Sequence, residues 1–393
     1  MIILRYKKVF NDKYLMKIIF YILLAISLIS SLIGFLAIGD VTQWVVSFSN
    51  DFTYTIFAWR FLIGGIAVLS FVTTLYIGHM ILYKSKKKLI AYAVVFCGLM
   101  IGGFIGPTYL FFRSQHYSAN FQPIEEISAD ELEDQAEVLV VEINGDARAY
   151  PFKWIMQPHI AGDKIGGVDV VMTFCVLSNL GLAFKNEYQG EKLNLKVMAQ
   201  LENNLVMFDA NTQKPIHQIR GGFVGESEKF ESIPTTVMSY DSFKKVYPKG
   251  KIFYNPTKFF DLPLNALIKK VAAKQLDINN PDLEFPTIEY KDKRAPSKEQ
   301  IYGLMIEGQP MAFTLDYIKE SGNQVQIVTM EKTITLKYFP KLDFVDAFLG
   351  PVDGVTPDGK LPLGFTAVRY PMYSKVLWII WAHFHPATML NQI

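Results

Sequence analysis

Three long apolar runs in the first third of the chain constrain its fold more than any other feature. They cover about Ile18 to Ile38, Phe61 to Tyr83 and Leu89 to Phe112, each close to the ~20 residues that carry a helix across a hydrocarbon core. In lipid every backbone polar group must be paired within the spanning structure, so such runs fold as helices. A cleaved signal peptide would account for one run only. The first run is also longer than a signal h-region and lacks a convincing small-x-small cleavage site before two more runs follow. Residues 1–113 therefore read as a membrane domain with three transmembrane helices.

Orientation follows from Lys and Arg in the short flanks, since basic residues resist translocation. The N-terminal arm carries Arg5, Lys7, Lys8, Lys13 and Lys17, and the second connection carries Lys84, Lys86, Lys87 and Lys88. The stretch from Asp40 to Thr55 carries none. This predicts a cytoplasmic N-terminus, with everything after Arg113 outside the cell membrane, or outside the inner membrane where there are two. Arg60 and His79 lie near the ends of the second run, where snorkelling to the interface explains them. The net charge of +2 carries no nucleic-acid signature. The expected partners are the lipid bilayer and an envelope protein or small ligand.

Residues 114–136 include a polar, acidic stretch from Phe121 to Asp134 with Pro123, which reads as a stalk. From Glu137 the pattern changes to short alternating segments. Val138 to Pro151 is two strands around Asn144-Gly145, a dipeptide that tolerates the positive φ angles of a hairpin turn. The phrase recurs without a gap at Ile301 to Ile318: Gly145 falls on Gly308, Ala149 on Ala312, Tyr150 on Phe313, Trp154 on Tyr317 and Ile155 on Ile318. Two related β-rich halves follow, residues 137–254 and 301–393, joined by a partly helical insertion over 255–300 with a helix at Leu264 to Leu276. The fold class is α+β, three transmembrane helices and then a β-rich outer domain of two duplicated halves. The last apolar run, V-L-W-I-I-W-A-H-F-H-P, is too short to span a bilayer. It reads as a core strand with Trp381, His383 and His385 on one face.

The first half differs from the second in one suggestive place. Val168 to Cys175 alternates with the period of a strand and hands over at Cys175 to V-L-S-N-L-G, a turn. The matching position in the second half is Tyr338. The other cysteine, Cys97, lies inside an apolar run, which argues against a disulfide between the two. Cys175 is then a small buried hydrophobe, a free thiol or a ligand. As a ligand it would join His159, His217, His383 and His385, a set suited to copper or zinc, with Met207 favouring copper. As a nucleophile it would need His159 or His217 as base and Asp209 or Asp163 to orient the imidazole. In a non-enzymatic binding or assembly module, Asp209, His217, Arg220 and Arg148 would be ligand-binding residues of the site wall. Phosphate-binding loops, zinc C-x-x-C pairs, haem attachment motifs and a Ser-His-Asp order are absent from the sequence.

These phrases together resemble a family of bacterial and archaeal membrane-anchored proteins known as a domain of unknown function, DUF3179. The resemblance rests on Ala147 to Pro151, Gly162-Asp163 with Gly166-Gly167, Thr173 to Ser178, Met207 to Asp209, Gln218 with Gly221 to Gly225, the second phrase from Tyr302, and Phe384 to Thr388. It covers nearly all of the chain after about Asp134. Where the family has a second Cys, a Trp and a Pro, this chain has Ser178, His217 and Val176. Loss of the C-x-x-C pair removes a thioredoxin-like dithiol couple. The family implies a fold and a location, and no activity.

Overall fold

The computed structural model describes residues 2–81, 86–285, 287–289, 291–362 and 364–392. Tyr83 and Lys84, used above for the second run and its flank, lie outside them, as do the side chains of Arg5, Lys7, Lys8 and Lys13. The chain forms two compact units, Met1–Leu110 and Phe111–Ile393.

In the first unit α1 (Ile2–Gly34) runs on through a π-helical turn, Phe35–Gly39. The short α2 (Asn50–Ala58) is capped by Ser49, whose side chain accepts from the Phe52 amide, and lies in the connection that carries no Lys or Arg. α3 (Arg60–Ile81) follows, and α4 (Lys86–Met100) widens into π-helical turns over Ile101–Phe111, where Pro107 has no N–H to donate. Three segments, Tyr14–Gly39, Arg60–Met80 and Lys86–Phe111, are long and apolar enough to cross a membrane. Glycines let two of them meet backbone to backbone. A Cβ on Gly39 would lie 2.7 Å from the Gly102 carbonyl oxygen, and one on Gly103 2.8 Å from the Phe35 nitrogen. Small residues at such a crossing replace the hydrophobic drive that lipid cannot supply.

The second unit begins at the edge strand β1 (Phe121–Pro123). The hairpin β2 (Glu137–Ile143) and β3 (Asp146–Pro151) turns on Asn144 and Gly145, at φ 53° and 82°. α5 (Phe152–Ile155) leads into the meander β4 (Ile160–Ile165), β5 (Val168–Cys175) and β6 (Leu180–Lys185). A small ribbon, β7 (Glu187–Tyr188) and β8 (Glu191–Lys192), precedes the hairpin β9 (Leu195–Leu201) and β10 (Asn204–Asp209), which β11 (Pro215–His217) and β12 (Gly222–Phe223) extend to a four-stranded sheet. β13 (Ser232–Ile233) pairs with β6, and β14 (Thr236–Ser239) runs antiparallel to β2. α6 (Tyr240–Val246) then leads to β15 (Lys251–Phe253), parallel to β3.

The insertion carries α7 (Leu262–Gln275), which starts two residues before the predicted Leu264. Beyond it the hairpin β16 (Gln300–Ile306) and β17 (Gln309–Thr314) turns on Glu307 and Gly308. α8 (Leu315–Glu320) and the meander β18 (Gln324–Val328), β19 (Thr333–Phe339), β20 (Phe344–Leu349) follow. β21 (Tyr373–Leu377) is antiparallel to β16, and after α9 (Trp378–Phe384), β22 (Met389–Asn391) is parallel to β17. One apolar core of this part gathers Tyr302, Leu304, Phe313, Ile334, Leu336 and Val345.

Two expectations change. The stretch read as a stalk is built into the domain: β1 pairs with β15, Leu132 is fully buried, and Gln115 bonds to Ile160 and Gly162 across the edge of β4. Most of its acidic side chains are exposed while Ile127 and Leu132 are buried, a balance that composition alone conceals. The final run is also not a single strand. It leaves the extended state at Leu377, and the first amides of α9, on Trp378 and Ile379, donate to Glu299 and Ser297 carbonyls. An unbroken apolar run carries no period to separate strand from helix, and here the missing Cβ of Gly303 decides it, by giving Trp381 a flat bed at 2.6 Å from where a Cβ would stand.

The glycine seam generates a test. Gly103→Leu is expected to force the first and third apolar helices apart and to cost about 1–3 kcal/mol, seen as a lower melting midpoint in detergent. Gly65→Ala, at a glycine with nothing within 4 Å of the added carbon, is expected to leave the midpoint unchanged.

Candidate functional site

β5 delivers Cys175 to the end of a strand, as its alternation predicts, but the turn beyond it is covered. The side-chain amide of Gln275, on α7, donates to the Leu177 carbonyl at 2.6 Å, the Leu377 amide to the Ser178 carbonyl at 3.2 Å, and the Asn179 side chain to the Lys375 carbonyl at 3.0 Å. α7 and β21 thus close over the turn, and Cys175 has no exposed surface.

Around the sulfur lies a connected set of amides. The thiol donates to Gln200 Oε1 at 3.1 Å and lies 3.8 Å from the Asn203 carbonyl oxygen. Gln200 Nε2 is 3.2 Å from His159 Nε2, and His159 Nδ1 is 2.9 Å from the Phe174 carbonyl oxygen. A carbonyl can only accept, so His159 carries its proton on Nδ1 and accepts from Gln200 through Nε2. Every hydrogen bond in the relay is then satisfied with both the thiol and the imidazole neutral. Burial holds both there, pushing the Cys175 thiol up and His159 down to about 4. The Ser178 hydroxyl and the amides of Ser178, Leu177 and Leu205 act in the opposite direction on the sulfur and are outweighed. Gln200 thus stands between thiol and imidazole, bonded to both.

A second layer of amides fixes the first. Asn204 Nδ2 bonds to Ser178 Oγ at 3.2 Å and Gln218 Oε1 at 3.3 Å, and Gln218 Nε2 to Thr173 Oγ1 and the Leu180 carbonyl, both at 3.1 Å. Asn203 Nδ2 reaches the Phe285 carbonyl at 2.7 Å. Sequence reasoning missed Gln200, Asn203 and Asn204. Their signal is Q-L-E-N-N between two alternating runs, a two-residue turn with Glu202 and Asn203 at φ 52° and 53° that returns β10 alongside β9.

The other candidate residues stand elsewhere. Asp209 builds a turn, accepting from the Asn194 amide at 2.7 Å and from the Thr212 amide and hydroxyl at 2.9 and 2.8 Å. Asp163 pairs with Arg148 at 2.5 Å, and Arg148 also pairs with Asp146. Met207 is buried within β10. His217 is buried with neither ring nitrogen hydrogen-bonded, and its Nε2 stands 3.8 Å from Glu202 Oε2. Burial lowers it to about 4 despite Glu202, so near neutral pH this contact is no ion pair. His383 is exposed, 3.2 Å from Glu202 Oε1, and Arg220 is exposed beside the Phe384 ring. His385 packs against Trp381 with ring centroids 4.2 Å apart and the planes inclined at 46°; helical spacing puts these two on one face and turns His383 away. Among the described residues, no three His, Cys, Asp or Glu side chains are arranged to hold a metal ion.

A separate cavity of about 520 Å³ opens where the chain enters this unit. Ser114, Gln115, Ser118, Asn120, Asn255 and Thr257 give it a wall of amides and hydroxyls, with Gln115 Nε2 donating to Asn255 Oδ1 at 2.9 Å.

Two outcomes are expected. With Cys97→Ser to remove the other thiol, iodoacetamide should leave Cys175 unmodified in the folded chain near pH 7 and modify it once the chain is unfolded; rapid modification of the native protein would contradict the neutral, enclosed thiol. Cys175→Ala should cost about 1–3 kcal/mol by orphaning Gln200 Oε1, and Cys175→Ser, which restores a donor, should cost less. The second outcome concerns pH. His116, His159, His217 and His385 are each held down at about 4, chiefly by burial. Their unfolded forms take up protons from about pH 6.5 downward, so stability is full above that pH and falls as the pH drops towards 4, by at most about 1.4 kcal/mol per histidine per pH unit. Denaturant midpoints at pH 7 and pH 5 measure the fall, and His217→Gln should reduce it.

No curated protein and no solved structure matches the chain. The model of one family, described as a protein of unknown function (DUF3179), matches residues 117–388, more than half of the chain and all of the Cys175 surroundings. The chain belongs to the DUF3179 family.

Proposed function

We propose that the chain is an integral membrane protein with three spans and a cytoplasmic N-terminus, whose β-rich domain, outside the cytoplasm, binds a small polar ligand without turning it over. The observation that carries the binding role is the 520 Å³ cavity, whose amide and hydroxyl wall offers donors and acceptors at fixed positions. Against turnover stands the Cys175 relay, in which the neutral amide of Gln200 separates the thiol from the His159 imidazole. The outside location is supported by the nine basic residues of the two flanks against none in the intervening connection.

Duplication belongs to this reading as well. Each half runs through a hairpin, a short helix, a three-stranded meander, a strand antiparallel to the first hairpin strand, a helix and a strand parallel to the second. Hairpin positions are separated by 163 residues, as Gly145 and Gly308 are, and the turns closing Cys175–Leu180 and Phe339–Phe344 both have four residues. By that pairing Phe339, one residue beyond the expected Tyr338, takes the place of Cys175, because the longer α8 adds a residue before the second meander. An aromatic ring at that position leaves the second meander with no counterpart of the thiol.

Thermal unfolding of the full-length protein in detergent, against a panel of sugars, amino acids and inorganic phosphate, tests the binding role. At least one should raise the midpoint, and Ser118→Trp, which fills the cavity from its rim, should abolish the rise. A catalytic activity lost in Cys175→Ser would overturn the non-enzymatic reading, and a reporter fused after Ile393 that reads as cytoplasmic would overturn the orientation.

A further inference from the structure

α7 is amphipathic in the wrong sense for a helix that closes a soluble domain. Inward it presents Asn265, Ile268 and Gln275, the two polar ones bonded to Gln157 Oε1 and to the Leu177 carbonyl. Outward it presents Leu262, Ala266 and Leu267, with Leu262 50% and Leu267 54% exposed. The turn leading into it adds two adjoining aromatic rings, Phe259 at 78% and Phe260 at 91% exposure. Exposed Lys258, Lys269 and Lys270 flank this apolar face. Exposed apolar side chains grouped in this way are the kind of surface that marks an interaction site.

Its place along the chain identifies the occupant. Asp261, one residue beyond Phe260, pairs with Arg113 through two contacts of 2.7 and 2.6 Å. Arg113 stands two residues after Phe111, the end of the third apolar helix, so their Cα atoms are at most about 7.6 Å apart. The aromatic pair is therefore tied, through Asp261 and Arg113, to the segment that follows that helix in the chain. Apolar side chains backed by lysines match the boundary between acyl chains and anionic headgroups.

We infer that Phe259, Phe260 and the outward face of α7 insert into the surface of the bilayer, as an in-plane anchor additional to the spans. This rests on the membrane reading proposed above. The anchor would hold α7 against the lipid, and α7 in turn holds Gln275 on the turn after Cys175 and borders, through Asp261, the polar cavity.

The test uses the full-length chain with Cys97→Ser, which leaves only the enclosed Cys175, and adds either Phe260→Cys or Met330→Cys. Met330 is equally apolar and fully exposed, in the turn between β18 and β19. Each is labelled with a polarity-sensitive fluorophore and reconstituted into phosphatidylcholine and phosphatidylglycerol vesicles carrying a nitroxide on the upper acyl chain. Roughly half of the emission at position 260 is expected to be quenched, against little at 330. A chain that stays with the vesicles after an alkaline carbonate wash, yet shows no quenching at 260, overturns the anchor and leaves the spans intact. Blue-shifted emission at 260 without quenching also overturns it, in favour of a second protein copy on this face. Release of the whole chain by carbonate removes the membrane reading and the anchor together.

Discussion

The second unit depends on the closure of a single turn. Val176 to Asn179 follows a strand end, where backbone groups have left the sheet and must be paired elsewhere if water is excluded. The Leu177 and Ser178 carbonyls and the Asn179 side chain find partners on α7 and β21, segments that follow the turn by about a hundred and about two hundred residues. Their combined cover removes Cys175 from water, and that in turn fixes its protonation. The cover over the thiol is thus completed by α7 and β21, while its hydrogen-bond partners lie on β9 and the turn after it.

Charge ties the same regions together. Arg369, which follows β20, meets Asp346 on β20 at 2.8 Å, Glu142 on β2, and the Tyr247 hydroxyl at 2.7 Å, with side chains largely withdrawn from solvent. Leaving one partner of such a cluster buried alone costs roughly 3–5 kcal/mol, far more than an exposed pair is worth. Lys375 to Glu137 at 2.6 Å and the Thr236 hydroxyl to the Val345 carbonyl at 2.6 Å add two further joints. The apolar core beneath β16 to β20 and the sheets of the first half are consequently parts of one body.

Much of this was legible in the sequence, for reasons that particular residues make plain. The three apolar runs, the two Asn-Gly and Glu-Gly hairpins and the strand ending on Cys175 were readable because each is local: a length, a turn dipeptide, a period of two. What escaped is non-local or aperiodic. Trp378 to Ala382 is an unbroken apolar run, so no period distinguished helix from strand, and Gly303, on which Trp381 packs, lies some seventy-five residues earlier. Gln200 and Asn203 carry no motif, yet they are the polar groups beside the sulfur of Cys175, with His159 reached only through Gln200. The candidate residues chosen for their chemistry, Asp209 and Asp163, turned out to serve a turn and an ion pair, the commonest employment of an aspartate.

Arg369, Lys375 and Leu377 lie within the last 25 residues of the chain, and the groups they complete, Glu142, Glu137 and Ser178, lie more than 190 residues before them. A chain is made from its N-terminus, so the first half exists for most of synthesis with Glu142 and the turn after Cys175 lacking the partners they have in the finished protein. Its sheets can pair among themselves, while the bonds that α7 and β21 make to that turn come later. The enclosure that Cys175 has in the finished protein therefore cannot be complete before Leu377 is made and paired with Ser178, across the whole length of chain between them.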